Sequence, residues 1–165
     1  MANLREAWNR AWDQGLLTEE PLPSHSKASS REVRAVMRAN RGRDTKPELA
    51  LRSLLHAQGL RYRVDISPLT GVRRRADLVF PRQKLAIFVD GCFWHGCPDH
   101  FRPAKKNAQM WQQKIEQNRS RDAETNRLLG DAGWTVMRFW EHEDPRTSAD
   151  RVIDQVQHLR QFVDH

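Results

Sequence analysis

Two cysteines and two histidines have the residue types and spacing of a zinc site. Cys92-x4-Cys97-x2-His100 offers three ligands within one loop, and His142 follows the last strand-like run of the chain. Zinc prefers four such ligands in a tetrahedron. If the strand before His142 lies beside the strand before Cys92 and parallel to it, the two strand ends meet and a closed, structural site results. The alternatives are two buried thiols with scattered surface histidines, or His95 in place of one ligand.

Three acidic residues are candidates for a second metal site, with oxygen ligands. Asp77 opens the run DLVF, Asp90 closes AIFVD, and Glu48 stands on the helix predicted before them. A hairpin brings Asp77 and Asp90 to one end of a sheet, with Glu48 at its side. Converging carboxylates are costly unless a cation joins them, and magnesium suits such sites. The alternative is that each acid faces solvent at a strand end or helix cap.

The charge of the chain favours a polyanionic partner, with nucleic acid first. The 165 residues carry a net charge of +7, and the pI is 10.1. Lysines and arginines contact phosphates without regard to sequence, although a solvated charged face is the usual alternative. The basic residues crowd three segments: Arg31, Arg34, Arg38, Arg41 and Arg43; Arg73, Arg74 and Arg75; and Lys105 and Lys106.

The composition also indicates the class of protein. No stretch is apolar enough to span a bilayer, and the first residues, MANLREAWNRAWDQG, lack the apolar core of a secretion signal. We therefore expect a cytoplasmic protein associated with the nucleoid. Two neighbouring cysteines in that compartment favour metal binding over a disulfide.

Apolar patterning predicts the elements that position these residues. DTKPELALRSLLHAQG predicts a helix with Thr45 as N-cap, Glu48 at capping-box spacing and an end at Gly59. Its apolar side is predicted to comprise Leu49, Leu51, Leu54 and Leu55. LRYRVDI, RADLVFP, KLAIFVDG and WTVMRFW predict strands, with a hairpin through PRQ and LAIFV as a central strand.

The order of elements predicts an α/β fold with a mixed central sheet flanked by helices. Further helices are predicted in SSREVRAVMRANRGRD, in AQMWQQKIEQNRSRDAETNRLLGDAG and in TSADRVIDQVQHLRQFV, the last with Val152, Val156, Leu159 and Val163 on one side. Residues 1–29 are predicted to be an N-terminal extension, with a short helix in REAWNRAW and a linker rich in Pro and Ser. Residues 30–165 form the predicted main domain.

Five segments resemble the very-short-patch-repair DNA mismatch endonucleases. They are RGRDTKPELALRSLLHAQGLRYRV, RADLVF, AIFVDGCFWHGC, WQQKIEQNRSRD and AGWTVMRFWEHE, which cover about residues 30–146 in the family's order. The resemblance implies a restriction-endonuclease-like fold of the PD-(D/E)XK type. It implies magnesium-dependent cutting of one strand, 5′ to the thymine of a T:G mismatch that arises when 5-methylcytosine deaminates.

The resemblance also implies roles for particular residues. Asp77 matches the catalytic, metal-binding aspartate and His95 the catalytic histidine, while Glu48 matches an acid beside the site. Val89 falls where a backbone carbonyl binds magnesium. Asp90, predicted here as a second magnesium ligand, stands where some relatives carry histidine. A further family acid near the site is matched by Asp122.

Contacts with DNA are implied for an aromatic group. Phe93, Trp94 and Trp111 match residues that insert beside the mismatch, where an aromatic wedge unstacks a base step most easily because pairing is already weak. Without the resemblance, packing in the core is the preferred reading of Phe93 and Trp94. The predicted DNA-binding set is completed by Met37, Arg34, Arg38, Arg41 and Arg43.

The candidate zinc ligands depart from the best-known family pattern. There, the loop supplies cysteine, histidine and cysteine, and a cysteine follows the last strand. Here Cys97 stands near the histidine position, His100 lies one residue beyond the second cysteine, and His142 replaces the last cysteine. The set still has two sulfurs and two nitrogens, so structural zinc remains the expectation.

The leading hypothesis is therefore a monomeric DNA mismatch endonuclease with magnesium in catalysis and zinc in structure. Its expected partners are T:G-mismatched DNA, mismatch-repair proteins and a DNA cytosine methyltransferase system. The alternatives are another restriction-like or junction-cutting nuclease, and a non-catalytic, zinc-stabilised DNA-binding protein.

Overall fold

The computed structural model describes residues 43–103 and 107–163, with side chains as far as residue 161. These residues form helices α1 (Lys46–Ala57), α2 (Ala108–Asp131) and α3 (Pro145–Val163), and strands β1 (Arg63–Ile66), β2 (Ala76–Phe80), β3 (Leu85–Asp90) and β4 (Thr135–Trp140). The helices predicted in REAWNRAW and SSREVRAVMRANRGRD lie outside the described residues, apart from the last two residues of the second segment. Among the residues described, no helix has the length and apolar character needed to cross a membrane.

The four strands form one mixed sheet in the order β1-β2-β3-β4. β1 and β3 each run antiparallel to β2, whereas β4 runs parallel to β3 and is reached through α2. The β2–β3 turn is closed by a hydrogen bond from the Lys84 N–H to the Pro81 carbonyl, with only two residues between them. The predicted hairpin is confirmed, and β4 meets the condition, parallel pairing with β3, on which the meeting of His142 with the cysteines depends.

The sheet is covered on both faces. α1 and α3 pack on one face in a large apolar cluster that includes Leu51, Leu55, Leu78, Phe80, Leu85, Ile87, Phe139, Val152 and Val156. On the other face Leu129 of α2 joins a smaller cluster with Ala76, Val79, Ala86 and Phe88. All residues of β3 except Val89 are buried, so the prediction of a covered central strand is confirmed.

The helix α1 follows its predicted boundaries but not its predicted apolar side. Thr45 is the N-cap, and Gly59 adopts a φ of +75° just beyond the last turn, where a side chain would strain the backbone. Leu51 and Leu55 are buried, whereas Leu49 is 49% exposed. The prediction for Leu49 was wrong because it lies two residues before Leu51 and therefore on a different side of the helix.

The helix α3 begins two residues earlier than predicted, at Pro145. The Asp144 carboxylate accepts hydrogen bonds from the backbone N–H and the hydroxyl of Thr147, at 2.9 and 3.0 Å. This is N-cap chemistry, and Pro145 suits the first helical position because its missing N–H would have no partner there. Val152 and Val156 are buried as predicted.

Candidate active site and metal centre

The carboxyl ends of β3 and β4 lie side by side, with Asp90 opposite Trp140. Beyond them the Glu141 N–H donates to the Asp90 carbonyl at 2.9 Å. The Cys92 N–H donates in return to the Glu141 carboxylate at 2.7 Å. The loop that leaves β3 is therefore fastened to the residues that follow β4, as parallel pairing of these strands requires.

Cys92, Cys97, His100 and His142 come together at this junction, with one ligand atom of each within 4.8 Å of the others. The Cys92 sulfur lies 3.1 Å from Nδ1 of His142. The Cys97 sulfur lies 3.7 Å from the same nitrogen and 3.8 Å from Nδ1 of His100. The parallel β4 thus brings His142 to the loop, 45 residues beyond Cys97 in the chain.

The donor set fits zinc in chemistry and in size. Zn–S bonds of ~2.3 Å and Zn–N bonds of ~2.1 Å in a tetrahedron separate neighbouring ligand atoms by roughly 3.4–3.8 Å. The two distances from the Cys97 sulfur, 3.7 and 3.8 Å, fall in this range, and the 3.1 Å between Cys92 and His142 is a few tenths of an ångström below it. Both cysteines are buried and free of a disulfide. Burial, with the adjacent Cys97 thiol, raises the pKa of Cys92 to about 12, so a cation is needed to hold both sulfurs as thiolates.

The loop between the two cysteines approaches α2 closely at Gly96. This glycine has a φ of +63°, and a Cβ there would lie 2.9 Å from Cγ2 of Ile115. The Trp94 carbonyl accepts a 2.8 Å hydrogen bond from the side chain of the buried Asn118. The segment with Phe93, Trp94 and His95 is therefore held between the cysteine–histidine cluster and α2.

Asp77 lies beside the last residues of β3, where its carboxylate accepts the N–H of Val89 at 2.7 Å. The pKa of Asp77 is raised from 3.8 to about 6, mainly by burial and also by the negative charges of Glu48 and Asp90, while the Val89 hydrogen bond opposes the rise. A carboxylate whose charge is disfavoured by burial and by two neighbouring acids suits a divalent cation, which would favour its ionised form. Asp77 and the Val89 carbonyl are the groups that could hold magnesium here.

The Glu48 carboxylate is buried and already has several donors. It accepts the Thr45 hydroxyl at 2.8 Å, the Asp44 N–H at 2.9 Å and the Arg52 guanidinium at 3.0 Å. The capping-box spacing does bring Thr45 and Glu48 together, but the Thr45 hydroxyl donates to the Glu48 carboxylate and does not accept a backbone N–H of α1. Glu48 therefore closes the start of α1 while its charge acts on Asp77.

His95 belongs to an acidic group and not to the cysteine cluster. Its Nδ1 lies 2.5 Å from the Asp122 carboxylate and 3.8 Å from that of Asp90. Hydrogen bonds to His95 and Arg138 hold the pKa of Asp122 below its usual range, although burial opposes them. An imidazole held at Nδ1 by a carboxylate keeps Nε2 available for acid–base chemistry.

Arg138 is a site residue that the sequence analysis missed. Its Nη1 lies 2.9 and 2.8 Å from the two Asp90 carboxylate oxygens, and its Nη2 lies 3.1 Å from Asp122. The signal was present in the sequence, because an arginine inside the apolar run WTVMRFW must find a partner if that strand is covered.

Phe93, Trp94 and Trp111 form an aromatic cluster on the loop and the first turn of α2. Ring centroids lie 5.3 Å apart for Phe93 and Trp94, 5.1 Å for Phe93 and Trp111, and 5.6 Å for Trp94 and Trp111. All three side chains are partly exposed, and none belongs to the two buried clusters of the sheet. The cluster is therefore accessible to a partner, while its rings pack against one another.

The predicted DNA-binding residues are described only in part. Met37, Arg34, Arg38 and Arg41 lie outside the described residues, as do Lys105 and Lys106. Arg43 is exposed and pairs with Asp44 at 3.4 Å and Asp65 at 3.3 Å. In the second basic segment, Arg74 pairs with Glu124, Arg75 with Asp65, and Arg73 is exposed.

Comparison with known proteins gives a consistent result. Residues 25–101 match the family described as DNA mismatch endonuclease Vsr. The chain is 45% identical to the type II nicking enzyme V.NaeI of Lentzea aerocolonigenes, over 78% of either chain. It is 40% identical to the type II nicking enzyme V.XorIIP of Xanthomonas oryzae pv. oryzae (71% of this chain, 85% of the relative) and 37% identical to the DNA mismatch endonuclease Vsr of Escherichia coli K12 (71% and 72%). The chain belongs to the Vsr family of DNA endonucleases.

Proposed function

We propose that this endonuclease nicks one strand of double-stranded DNA 5′ to the thymine of a T:G mismatch, and that its fold is of the restriction-endonuclease type. The observation that carries the proposal is the convergence of Asp77, Asp90, His95 and Asp122 at the end of β3. It brings Asp77, a carboxylate suited to a divalent cation, together with a histidine that is suited to proton transfer and held by a carboxylate. The names of the relatives, nicking enzyme and mismatch endonuclease, support the same reaction class.

Magnesium, held by Asp77 and the Val89 carbonyl, would supply positive charge at the phosphate and acidify a bound water. The residues of the chain do the rest. The Val89 N–H fixes the Asp77 carboxylate at 2.7 Å, and the charge of Glu48 favours a cation beside it. His95, oriented through Nδ1 by Asp122, would exchange a proton at Nε2 with the attacking water or the leaving oxygen.

The cysteine–histidine cluster is proposed to hold one structural zinc, with the ligands Cys92, Cys97, His100 and His142. All four positions are filled by protein, as in structural rather than catalytic sites. Phe93, Trp94 and His95 lie within this loop, between the two cysteines, and Trp111 lies beside it on α2. Zinc would therefore hold in place the loop residues that are proposed to contact the DNA bases and the substrate phosphate.

The aromatic cluster is proposed as the wedge that enters the base stack beside the mismatch. Its rings are accessible yet braced against each other, as a wedge must be if it is to displace a base and not collapse itself. Exposed arginines of the predicted basic segments, such as Arg43 and Arg73, would contribute sequence-independent phosphate contacts. Preference for a mismatch then arises from insertion, because a wobble pair is opened at a lower cost than a matched pair.

The test is a panel of end-labelled duplexes that differ at one base pair, incubated under single-turnover conditions with magnesium. A T:G duplex should be nicked once, 5′ to the thymine, while C:G and T:A duplexes and a four-way junction remain intact. Equal cutting of matched duplexes would indicate another restriction-like nuclease. Binding without cutting of any of these substrates would indicate a non-catalytic DNA-binding protein.

A further inference from the structure

Arg138 has an unusual set of contacts for a residue in the middle of a strand. Its side chain is 20% exposed. The guanidinium contacts both Asp90 oxygens through Nη1 and Asp122 through Nη2, and its Nε donates to the Asn126 side chain at 3.1 Å. The guanidinium carbon also lies 4.5 Å from the centroid of the Phe88 ring, which is opposite Arg138 in the β3–β4 register.

These contacts join the sheet to α2 by polar bonds, beside the apolar contacts that Leu129 of α2 makes with the sheet. Asp90 ends β3, whereas Asp122 and Asn126 lie one turn apart on α2. One rigid, planar cation therefore links the carboxyl end of the sheet to the middle of α2. A lysine cannot make this set of contacts, because its ammonium is a single point of charge without a planar fork of donors.

The two carboxylates that Arg138 holds are the two that flank His95. Asp122 uses one oxygen for Arg138 and the other for Nδ1 of His95, and Asp90 lies 3.8 Å from the same nitrogen. One ligand atom from each of Asp90, His95 and Asp122 lies within 4.8 Å of the others, a spacing open to a metal ion. The guanidinium already provides the cation there, so a metal in this group would be repelled by it.

We propose that Arg138 is a positioning residue that fixes the Asp122–His95 pair, and that Asp90 is a partner of Arg138 and not a magnesium ligand. Arg138 acts through Asp122. By binding one carboxylate oxygen it fixes the orientation of the carboxylate, so that the other oxygen accepts the His95 Nδ1–H. The imidazole is held in the Nδ1–H tautomer with Nε2 turned to the substrate. This inference rests on the proposed function for its kinetic consequences, but not for its structural one.

The structural consequence is tested without DNA. Long-range ¹H–¹⁵N spectra of histidine-labelled, zinc-loaded protein at pH 8 report the tautomer of each imidazole, and the loss of one signal in His95→Gln assigns His95. The wild type should show His95 as the Nδ1–H tautomer. Arg138→Ala should convert at least a third of it to the other tautomer, and Arg138→Lys less. A His95 spectrum unchanged in Arg138→Ala, or a wild type with the Nε2–H tautomer, would overturn the proposal.

The kinetic consequence is a loss of rate without a matching loss of binding. Arg138→Ala should lower the single-turnover nicking constant at saturating T:G duplex by about 10- to 100-fold, with the DNA Kd changed less than threefold, and Arg138→Lys should recover part of the rate. A Kd that rises as much as the rate falls would make Arg138 a phosphate contact instead. Arg151→Ala is the matched control, because Arg151 also lies over a phenylalanine ring and pairs with a carboxylate, away from these acids.

Asp90→Asn tests the proposal that Asp90 is not a magnesium ligand. Unlike Arg138→Ala, this variant does not leave the Asp90 and Asp122 carboxylates without their shared cation. An asparagine oxygen can still accept from Arg138, so the variant should fold, and its magnesium concentration for half-maximal rate should stay within twofold of the wild type. A tenfold rise in that concentration would show that Asp90 binds the metal. If the wild type nicks none of the duplexes, the proposed function fails, and the histidine spectra still decide the role of Arg138.

Discussion

The central sheet presents its larger apolar cluster to α1 and α3, whereas its α2 face combines a smaller apolar cluster with charged side chains. In β4 the alternation is direct. Phe139 points into the large apolar cluster, while Arg138 joins Asp90 and Asp122 on the other side. The face covered by α1 and α3 therefore supplies the larger share of the apolar burial, while the α2 face also accepts costly charges that serve the site. If the two faces are separable in this way, changes on one face should leave the properties of the other intact.

The largest expected effect is the loss of zinc from the cysteine–histidine cluster. Structural zinc sites contribute roughly 10–16 kcal/mol of binding free energy at neutral pH, so removal should disorganise the loop that carries His95. Purified protein should hold one zinc per chain, and Cys92→Ser should lose both the metal and nicking activity. His56→Ala, an exposed histidine on α1, is the control. A folded, active preparation without zinc would refute the assignment.

Truncation on the apolar face should affect stability alone. Leu55 is fully buried between α1 and the sheet, and Leu55→Ala should lower the free energy of unfolding by about 2–5 kcal/mol through lost burial and a residual cavity. Nicking per folded molecule should remain within twofold of the wild type. Leu49→Ala, on the exposed side of α1, should change neither quantity. A large fall in the nicking rate per folded molecule of Leu55→Ala would show that the two faces are coupled.

Asp77→Asn should stabilise the protein at neutral pH in the absence of magnesium. The pKa of Asp77 is raised from 3.8 to about 6 by burial first, then by Glu48 and Asp90. Folding is therefore most favourable with Asp77 protonated, and this stability is lost as the pH rises from about 4 through 6.

The expected gain in Asp77→Asn is about 2–3 kcal/mol at pH 7.5 and about half of that at pH 5, since each pKa unit corresponds to about 1.4 kcal/mol. Urea unfolding of zinc-loaded protein at both pH values measures it, with zinc content checked and the exposed Asp154→Asn as control. A gain that does not grow with pH would contradict the attribution to Asp77 ionisation.

The smallest expected effect concerns the aromatic cluster. Trp94→Ala should lower the preference for T:G over C:G duplex by five- to more than a hundredfold, since a stacked aromatic contributes ~1–3 kcal/mol per base. General DNA affinity should change less, because it depends on phosphate contacts.

The alternative role of Trp94 is packing, where truncation costs about 3–5 kcal/mol of stability. Trp134→Ala is the comparison, because Trp134 packs against the small buried cluster under α2. Thermal unfolding and competition binding on both variants separate the roles. A large loss of stability in Trp94→Ala with an unchanged T:G preference would place it with Trp134.

The backbone frame was predictable from the sequence because it depends on local patterns. The consecutive apolar residues of LAIFV indicated a covered strand, and the short PRQ connection left an antiparallel hairpin as the natural arrangement. The meeting of His142 with the cysteines followed from one further condition, that β4 runs parallel to β3. That condition is confirmed, and with it the juxtaposition of the four candidate ligands.

An arginine within an apolar run indicated that Arg138 needs a partner, but the identity of its partners was not predictable, because they are far apart in the chain and no local pattern joins them. Arg138 contacts Asp90 across 48 residues and Asp122 across 16. Asp90 therefore had no visible partner in the sequence other than a metal ion. The prediction that Leu49 is buried was wrong for a different reason. Its apolar character indicated burial, but its position on the helix turns it away from the buried side.

The most direct test of the account is the nicking rate of Asp77→Asn measured beside its DNA affinity. The central claim is that catalysis takes place at the carboxyl end of β3, on acids that lie apart from the phosphate contacts. With magnesium and saturating T:G duplex, the single-turnover rate should fall at least a thousandfold while the Kd stays within threefold of the wild type. A variant that still nicks T:G duplex within tenfold of the wild-type rate would contradict the claim.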